Sequence, residues 1–195
     1  MMKVIIIGAL VLSHCAHASS ISYPGTLSDA NSVHLIMFTV GTVSNVTLQT
    51  YSYGGSTSAP GGTNAAGNAI VPGGFDPVIA AFGPDNGFID QNDDGLCPIG
   101  AFDGGNCFDS TLELVALLPG IYTVSLTVAG NYAAGAHLSD GFTGGGDLFG
   151  RTNSFAVDLT INPIASVPEI GSLGAAGVGL LLMVLKTLTI KNRGK

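Results

Sequence analysis

Thr111-Leu-Glu-Leu-Val-Ala-Leu117, followed by Leu118-Pro119-Gly120 and Ile121-Tyr-Thr-Val-Ser-Leu-Thr-Val128, is the stretch that decides the fold. Side chains of a strand alternate between two faces, so an apolar residue at every second position marks a half-buried strand. Leu112, Leu114 and Ala116 share one face of the first segment, and Tyr122, Val124, Leu126 and Val128 share one face of the second. The Pro-Gly step between them breaks both ladders, because proline has no N–H to donate. Two β-strands of seven and eight residues are therefore expected, with no room for a helix.

The same signal recurs on both sides. His34–Val40 is a compact apolar run. Asn45–Tyr53 alternates, with Val46, Leu48, Thr50 and Ser52 opposite Thr47, Gln49, Tyr51 and Tyr53. Pro77–Phe82 reads as a short buried strand, and Gly87–Asp90 as its partner across the turn Pro84-Asp85-Asn86-Gly87. Ser154–Ile161 is the last. Such short strands, set among Gly, Asn and Asp turns, predict an all-β, jelly-roll-like β-sandwich. Two segments break the spacing, Gly54–Gly74 and Ser139–Asn153. Loops of this length are usually functional or mobile.

The two ends read differently. Met1–Ala18 has Lys3, an apolar run from Val4 to Leu12 and an A-x-A site at Ala16-His17-Ala18, the pattern of a secretory signal peptide cut before Ser19. A lipoprotein site at Cys15 is disfavoured, because His14 is not small. At the other end, Ile170–Leu185 carries no charge, Lys186 interrupts it, and Lys191, Arg193 and Lys195 close it. Sixteen helical residues reach ~24 Å and twenty-one reach ~31 Å. One C-terminal transmembrane helix is expected, with Lys186 snorkelling to the interface and the basic end cytoplasmic. The chain thus divides into residues 1–18 (signal peptide), 19–166 (exported domain, core about 33–162) and 167–195 (anchor or sorting tail).

Charge separates these parts. Of 13 acidic residues only Glu169 lies outside 19–166, and of six Lys/Arg only Arg151 lies inside, so the exported region has a formal charge of −11 and no lysine. Nucleic acid and anionic lipid are disfavoured partners, whereas cations, neutral glycans and basic partners are not.

Asp90-Gln91-Asn92-Asp93-Asp94-Gly95 fits D-x-[DN]-x-[DN]-G, the first half of a calcium loop, whose oxygens at the first, third and fifth positions wrap a hard cation. Asp90, Asn92 and Asp94 are the candidate ligands, with the glycine allowing the following turn. Ala101 stands where an EF-hand would place Glu, so other acids must complete the shell: Asp76, Asp103 or Asp109. The plainer reading is that Asp and Asn are good turn formers. Cys97 and Cys107 are the only cysteines left after signal cleavage. In an exported chain they are expected to pair, closing a loop that stabilises by roughly 2.8 kcal/mol. His34 and His137 stand alone, and no nucleophile elbow, zinc-protease motif or phosphate-binding loop is present, so no enzyme is expected. Tyr51, Tyr53, Tyr122 and Tyr132 could stack on sugar rings.

Two resemblances add to this reading. Val167-Pro168-Glu169, the Gly/Leu/Ala-rich run and the basic terminus resemble the PEP-CTERM sorting signal of Gram-negative bacteria that make exopolysaccharide. Ile170 replaces the usual second proline. This resemblance implies recognition by an exosortase-type membrane enzyme, membrane attachment before processing, and a final place at the cell surface or outside, near exopolysaccharide. An ordinary tail anchor is the alternative. Phe38-Thr39-Val40, Asp76, Asn92-Asp93-Asp94-Gly95 and Leu118-Pro119-Gly120-Ile121-Tyr122-Thr123-Val124 resemble the bacterial pre-peptidase C-terminal domain over roughly residues 33–162. That resemblance implies a non-catalytic β-sandwich that binds matrix, substrate or calcium. A non-enzymatic exported surface or matrix protein is the first expectation, and a calcium-dependent glycan- or matrix-binding module the second.

Overall fold

The strands of Thr111–Val128 do not pair with each other. They enter different sheets, and Leu118-Pro119 carries the chain across. In the computed structural model, which describes residues 18–54, 64–95 and 108–164, eight strands are present. They are β1 (Ser19–Thr26), β2 (His34–Val40), β3 (Ser44–Tyr51), β4 (Pro77–Phe82), β5 (Phe88–Asn92), β6 (Thr111–Leu117), β7 (Gly120–Val128) and β8 (Ser154–Pro163). One sheet has the order β1-β8-β3-β6 and the other β2-β7-β4-β5. Every pairing is antiparallel. Only β4 and β5 are neighbours both in sequence and in a sheet. Helix is limited, among the described residues, to one 3-10 turn at Leu138–Asp140.

The described residues are all-β because their apolar residues either alternate, as in β3 and β6, or form short runs bounded by turn residues, as in β2 and β4. The even-numbered residues of β2, Ile36, Phe38 and Val40, meet Val46 and Leu48 of β3, Val124 and Leu126 of β7 and Val157 and Leu159 of β8 in one core. Burying each such side chain contributes about 1.5–3 kcal/mol. The β3 alternation is as expected: Val46, Leu48, Thr50 and Ser52 are the buried set.

Two expectations need correction. Ala116 does not join Leu112 and Leu114 on the core face. Ser44 pairs with Leu117 but Val46 with Leu114, so Val115 and Ala116 together face Asn45. This bulge turns Ala116 to φ 54 and brings Leu117 inward instead. The core region also begins earlier than residue 33, since β1 pairs with β8 along its whole length. Pro24 and Gly25 hid that strand, and both are tolerated because β1 is an edge.

β4 is buried on both faces. Ile79 and Ala81 point to the core. Phe82, on the other face, meets Phe88 at 5.9 Å and Phe142 at 6.4 Å between ring centroids. The segment after β7, expected to be functional or mobile, therefore folds back as a cover. Tyr132 accepts Thr143's N–H and Ala134 donates to Gly141, while Leu148 packs on the core.

The described residues lie in one compact unit that ends at Ile164. The signal peptide, Cys97 and Cys107, and Val167, Pro168 and Glu169 with their expected transmembrane helix lie outside the described residues. Within them, no helix is long and apolar enough to cross a membrane.

Candidate metal centre

Antiparallel pairing of β4 with β5 sets Ile79 opposite Asn92. The chain just before β4 and the chain just after β5 therefore meet at one end of the sheet. Asp76 precedes β4, and Asp93 and Asp94 follow β5. One carboxylate oxygen from each comes within 4.8 Å of the others. Oxygens of Asp76, Asn92 and Asp93 (Oδ1 in each case) are buried without a hydrogen-bond partner. Buried acceptors are normally satisfied, since leaving one unmade costs about 1–3 kcal/mol.

Three groups hold this end in place. Tyr132, four residues past β7, donates its phenolic hydrogen to Asp93 Oδ2 at 2.7 Å. Ser110, at the entrance to β6 in the opposite sheet, is fully buried. Its hydroxyl lies 2.6 Å from Pro77 O and 3.1 Å from Asn92 O, and also reaches Asp93 O. With one hydrogen to share, it ties the start of β4 to the end of β5. Gly95 shows why no larger residue ends the acidic run: a Cβ there would sit 2.3 Å from the Thr111 backbone nitrogen. The glycine serves close packing and adopts no left-handed turn.

The electrostatics follow from the crowding. Burial, then the charges of Asp93, Asp94 and Asp109, push the Asp76 carboxyl up from 3.8 to about 7, and Arg151 opposes them. Asp94 is raised by burial and by Asp93. The hydrogen bond to Asp93 is the main reason that Tyr132 is raised. No Lys or Arg forms an ion pair with these acids among the described residues; the only ion pair there joins His137 and Asp140 at 3.9 Å. A cation would relieve the repulsion. The donors are oxygens only, with no imidazole or thiolate, which suits a hard ion such as calcium or magnesium rather than zinc or copper.

The sequence candidates divide. Asp76 and Asp94 converge. Asn92 sits beside them in the chain with its side-chain oxygen unpartnered. Asp90 does not join: it is exposed in β5, accepts the Gln91 N–H at 2.8 Å, and is not one of the three converging acids. Residues 90 and 92 are extended, so the chain does not coil around an ion as a calcium loop does. Asp103 lies outside the described residues. Asp109 is buried and already engaged: it accepts the N–H groups of Ser52 at 2.6 Å and Gly54 at 2.8 Å. Burial raises it to about 6 despite those bonds. Sequence reasoning quoted Asp93 within the acidic run without making it a ligand, and missed Ser110 and Tyr132, which only the tertiary fold brings here.

The other candidates have structural employment. His34 packs against Phe155, ring centroids 5.0 Å apart. Tyr122 is in the core, donating to Leu118 O at 2.8 Å. Tyr53 lies under Arg151, whose guanidinium carbon is 3.3 Å from the ring centroid. A groove of about 370 Å³ beside β1, lined by Pro24, Val71, Pro72 and Phe155, has Thr152 and Ser154 as its only side-chain hydroxyls and no titratable group.

No family model matches the chain, and no curated protein matches it.

Proposed function

We propose that this chain is a non-enzymatic exported surface or matrix protein, displayed as a jelly-roll-like sandwich that binds calcium at Asp76, Asp93 and Asp94, with Asn92 as a further oxygen donor. The single observation that carries the metal reading is the meeting of three carboxylates, two of which, together with Asn92, keep a buried side-chain oxygen without a partner. The strand orders β1-β8-β3-β6 and β2-β7-β4-β5 support the jelly-roll form. The leader, the −11 exported region and the Val167-Pro168-Glu169 tail support export and sorting, with an exosortase-type enzyme as processing partner and exopolysaccharide as neighbour. Calcium here would be structural, joining β4, β5 and the β7 exit.

Isothermal titration of the purified protein with calcium, after chelation, tests the metal. Saturable binding of one ion, lost in Asp76→Asn, supports it; absence of binding at millimolar calcium removes it. Mass spectrometry of the mature C-terminus tests the tail. A chain ending near Glu169 supports sorting, and an intact Lys195 on membrane-bound protein supports a plain anchor. A glycan array, run with and without calcium, asks whether a sugar is also bound.

A further inference from the structure

Among the described residues the two sheets leave four edge strands: β1 and β6 in one, β2 and β5 in the other. An open edge presents unpaired N–H and C=O groups, and proteins blunt such edges with charge, proline, bulges or a covering segment. Three of the four are blunted. β1 carries Pro24 and Gly25. β6 carries Glu113 and the bulge at Ala116, whose N–H is taken by Asn45 Oδ1 at 2.9 Å. β5 carries Asp90 and a register shift, and the loop after β7 covers it: Phe88 N–H donates to Ala136 O at 2.8 Å and Ala133 N–H to Gln91 Oε1 at 2.9 Å.

Among the described residues, β2 has none of these. His34-Leu-Ile-Met-Phe-Thr-Val40 contains no acid, lysine, arginine, proline or glycine, and pairs with β7 over seven residues without a shift. Among the described residues no backbone hydrogen bond reaches its outer edge. Its outward face is apolar as well: Leu35 is 49 % exposed, Met37 72 %, and Ile121, opposite Thr39, 60 %.

We propose that β2 pairs antiparallel with β2 of a second copy of this chain, about a two-fold axis near Met37, joining two four-stranded sheets into one of eight. An open edge needs another open edge, and the described residues supply this one. A two-fold contact is self-complementary, and here it sets Met37 of one copy against Met37 of the other and Leu35 against Thr39, all on the outward face of β2. Charge selects the same place. A region of net −11 without lysine repels its own copy across acid-bearing surface, whereas β2 brings no like charges face to face. One strand pair is a small interface, below the ~1,200 Å² of stable complexes, so the dimer dissociates on dilution.

Sedimentation equilibrium of the full chain in mild detergent tests this, run in calcium and in chelator so that it stands apart from the metal site. Wild type is expected to pass from monomer to dimer with concentration. Met37→Lys and Thr39→Lys, at exposed positions, are expected to weaken association at least tenfold with unchanged circular dichroism. Met37→Cys is expected to cross-link to a dimer with a short bis-maleimide. Should Met37→Lys misfold, Thr39→Lys and the cross-link decide. A wild type that stays monomeric, a dimer indifferent to both lysines, or an open ladder of oligomers overturns the proposal.

Discussion

The Tyr132 hydroxyl donates to Asp93 Oδ2 at 2.7 Å, and through that one bond the loop after β7 reaches the bend after β5. The bond uses one oxygen of Asp93 and leaves Oδ1 buried without a partner. Tyr132 thus orients a carboxylate for the proposed ion without being a ligand. Tyr132→Phe is expected to weaken calcium binding about three- to tenfold, the size of one hydrogen bond at roughly 1 kcal/mol. Calorimetric titration checks this; unchanged affinity would separate Tyr132 from the site.

Calcium is expected to raise the melting temperature. An ion bound only by the folded chain stabilises it by about 2.7 kcal/mol at a hundredfold excess over Kd, roughly 5–10 °C for a domain of this size. Asp94→Ala, at an exposed position, is expected to remove most of that rise and leave the metal-free midpoint nearly unchanged. Asp76→Asn is expected to remove the rise too, but with a higher midpoint in chelator at pH 8, because a buried repelling charge is gone. Scanning fluorimetry in calcium and in chelator reads all three, and a calcium shift that survives Asp76→Asn sinks the site.

Acid dependence follows from the same carboxyl. A group whose pKa is higher folded than unfolded holds its proton longer in the folded state. Asp76 titrates at about 7 folded against 3.8 ordinarily, and Asp109 at about 6. Below pH 3.8 both are protonated in either state and cost nothing. As pH rises from about 4 to 7 the unfolded chain ionises first, so the metal-free protein loses stability across that window. The metal-free midpoint is therefore expected to be higher at pH 5 than at pH 8. Calcium reverses the trend, since it binds the ionised form: affinity falls below pH 7, and binding near pH 6.5 releases protons. Titration in two buffers of different ionisation enthalpy detects that release, and a metal-free midpoint that climbs between pH 5 and 8 contradicts the assignment.

How far the sequence carried can be seen at particular residues. Strand positions were legible from alternation in β6 and from short apolar runs in β2 and β4, and all three stand where they were expected. Partners were not, because alternation says nothing about which edge a strand joins. Leu118-Pro119-Gly120 looks like a simple break and is a crossing between sheets. β1 was missed because Pro24 and Gly25 argue against a strand, and only an edge position tolerates them. At the site, Asp76 and Asp94 were legible as acids near a turn. Asp90 lies apart from the three converging acids because β5 keeps residues 90 and 92 extended, whereas the loop motif assumes a coiled chain. Asp93 stood inside the acidic run but at a position the loop motif leaves open, while Tyr132 and Ser110 carried no signal for this site, since each owes its place to contacts across strands.

Arg151 provides the last prediction. It is the one Lys or Arg between residues 19 and 166, and it sits where three segments meet. Its Nε donates to Gly74 O at 2.5 Å, a terminal nitrogen donates to Tyr53 O at 3.1 Å, and its plane covers the Tyr53 ring, which in turn packs on Phe108 at 4.5 Å. A planar fork does this; an ammonium does not. Arg151→Lys keeps the charge but loses the fork and the stacking, and is expected to cost about 1–3 kcal/mol, lowering the melting temperature by roughly 3–10 °C. Arg151→Met removes the charge as well. Because Arg151 pulls the Asp76 carboxyl down against its acidic neighbours, the methionine variant is expected to move the pH dependence of calcium binding upward, while the lysine variant leaves it nearer wild type. Melting curves and calcium titrations across pH 5 to 8 separate the two effects; identical pH profiles in both variants would show that Arg151 acts through packing alone.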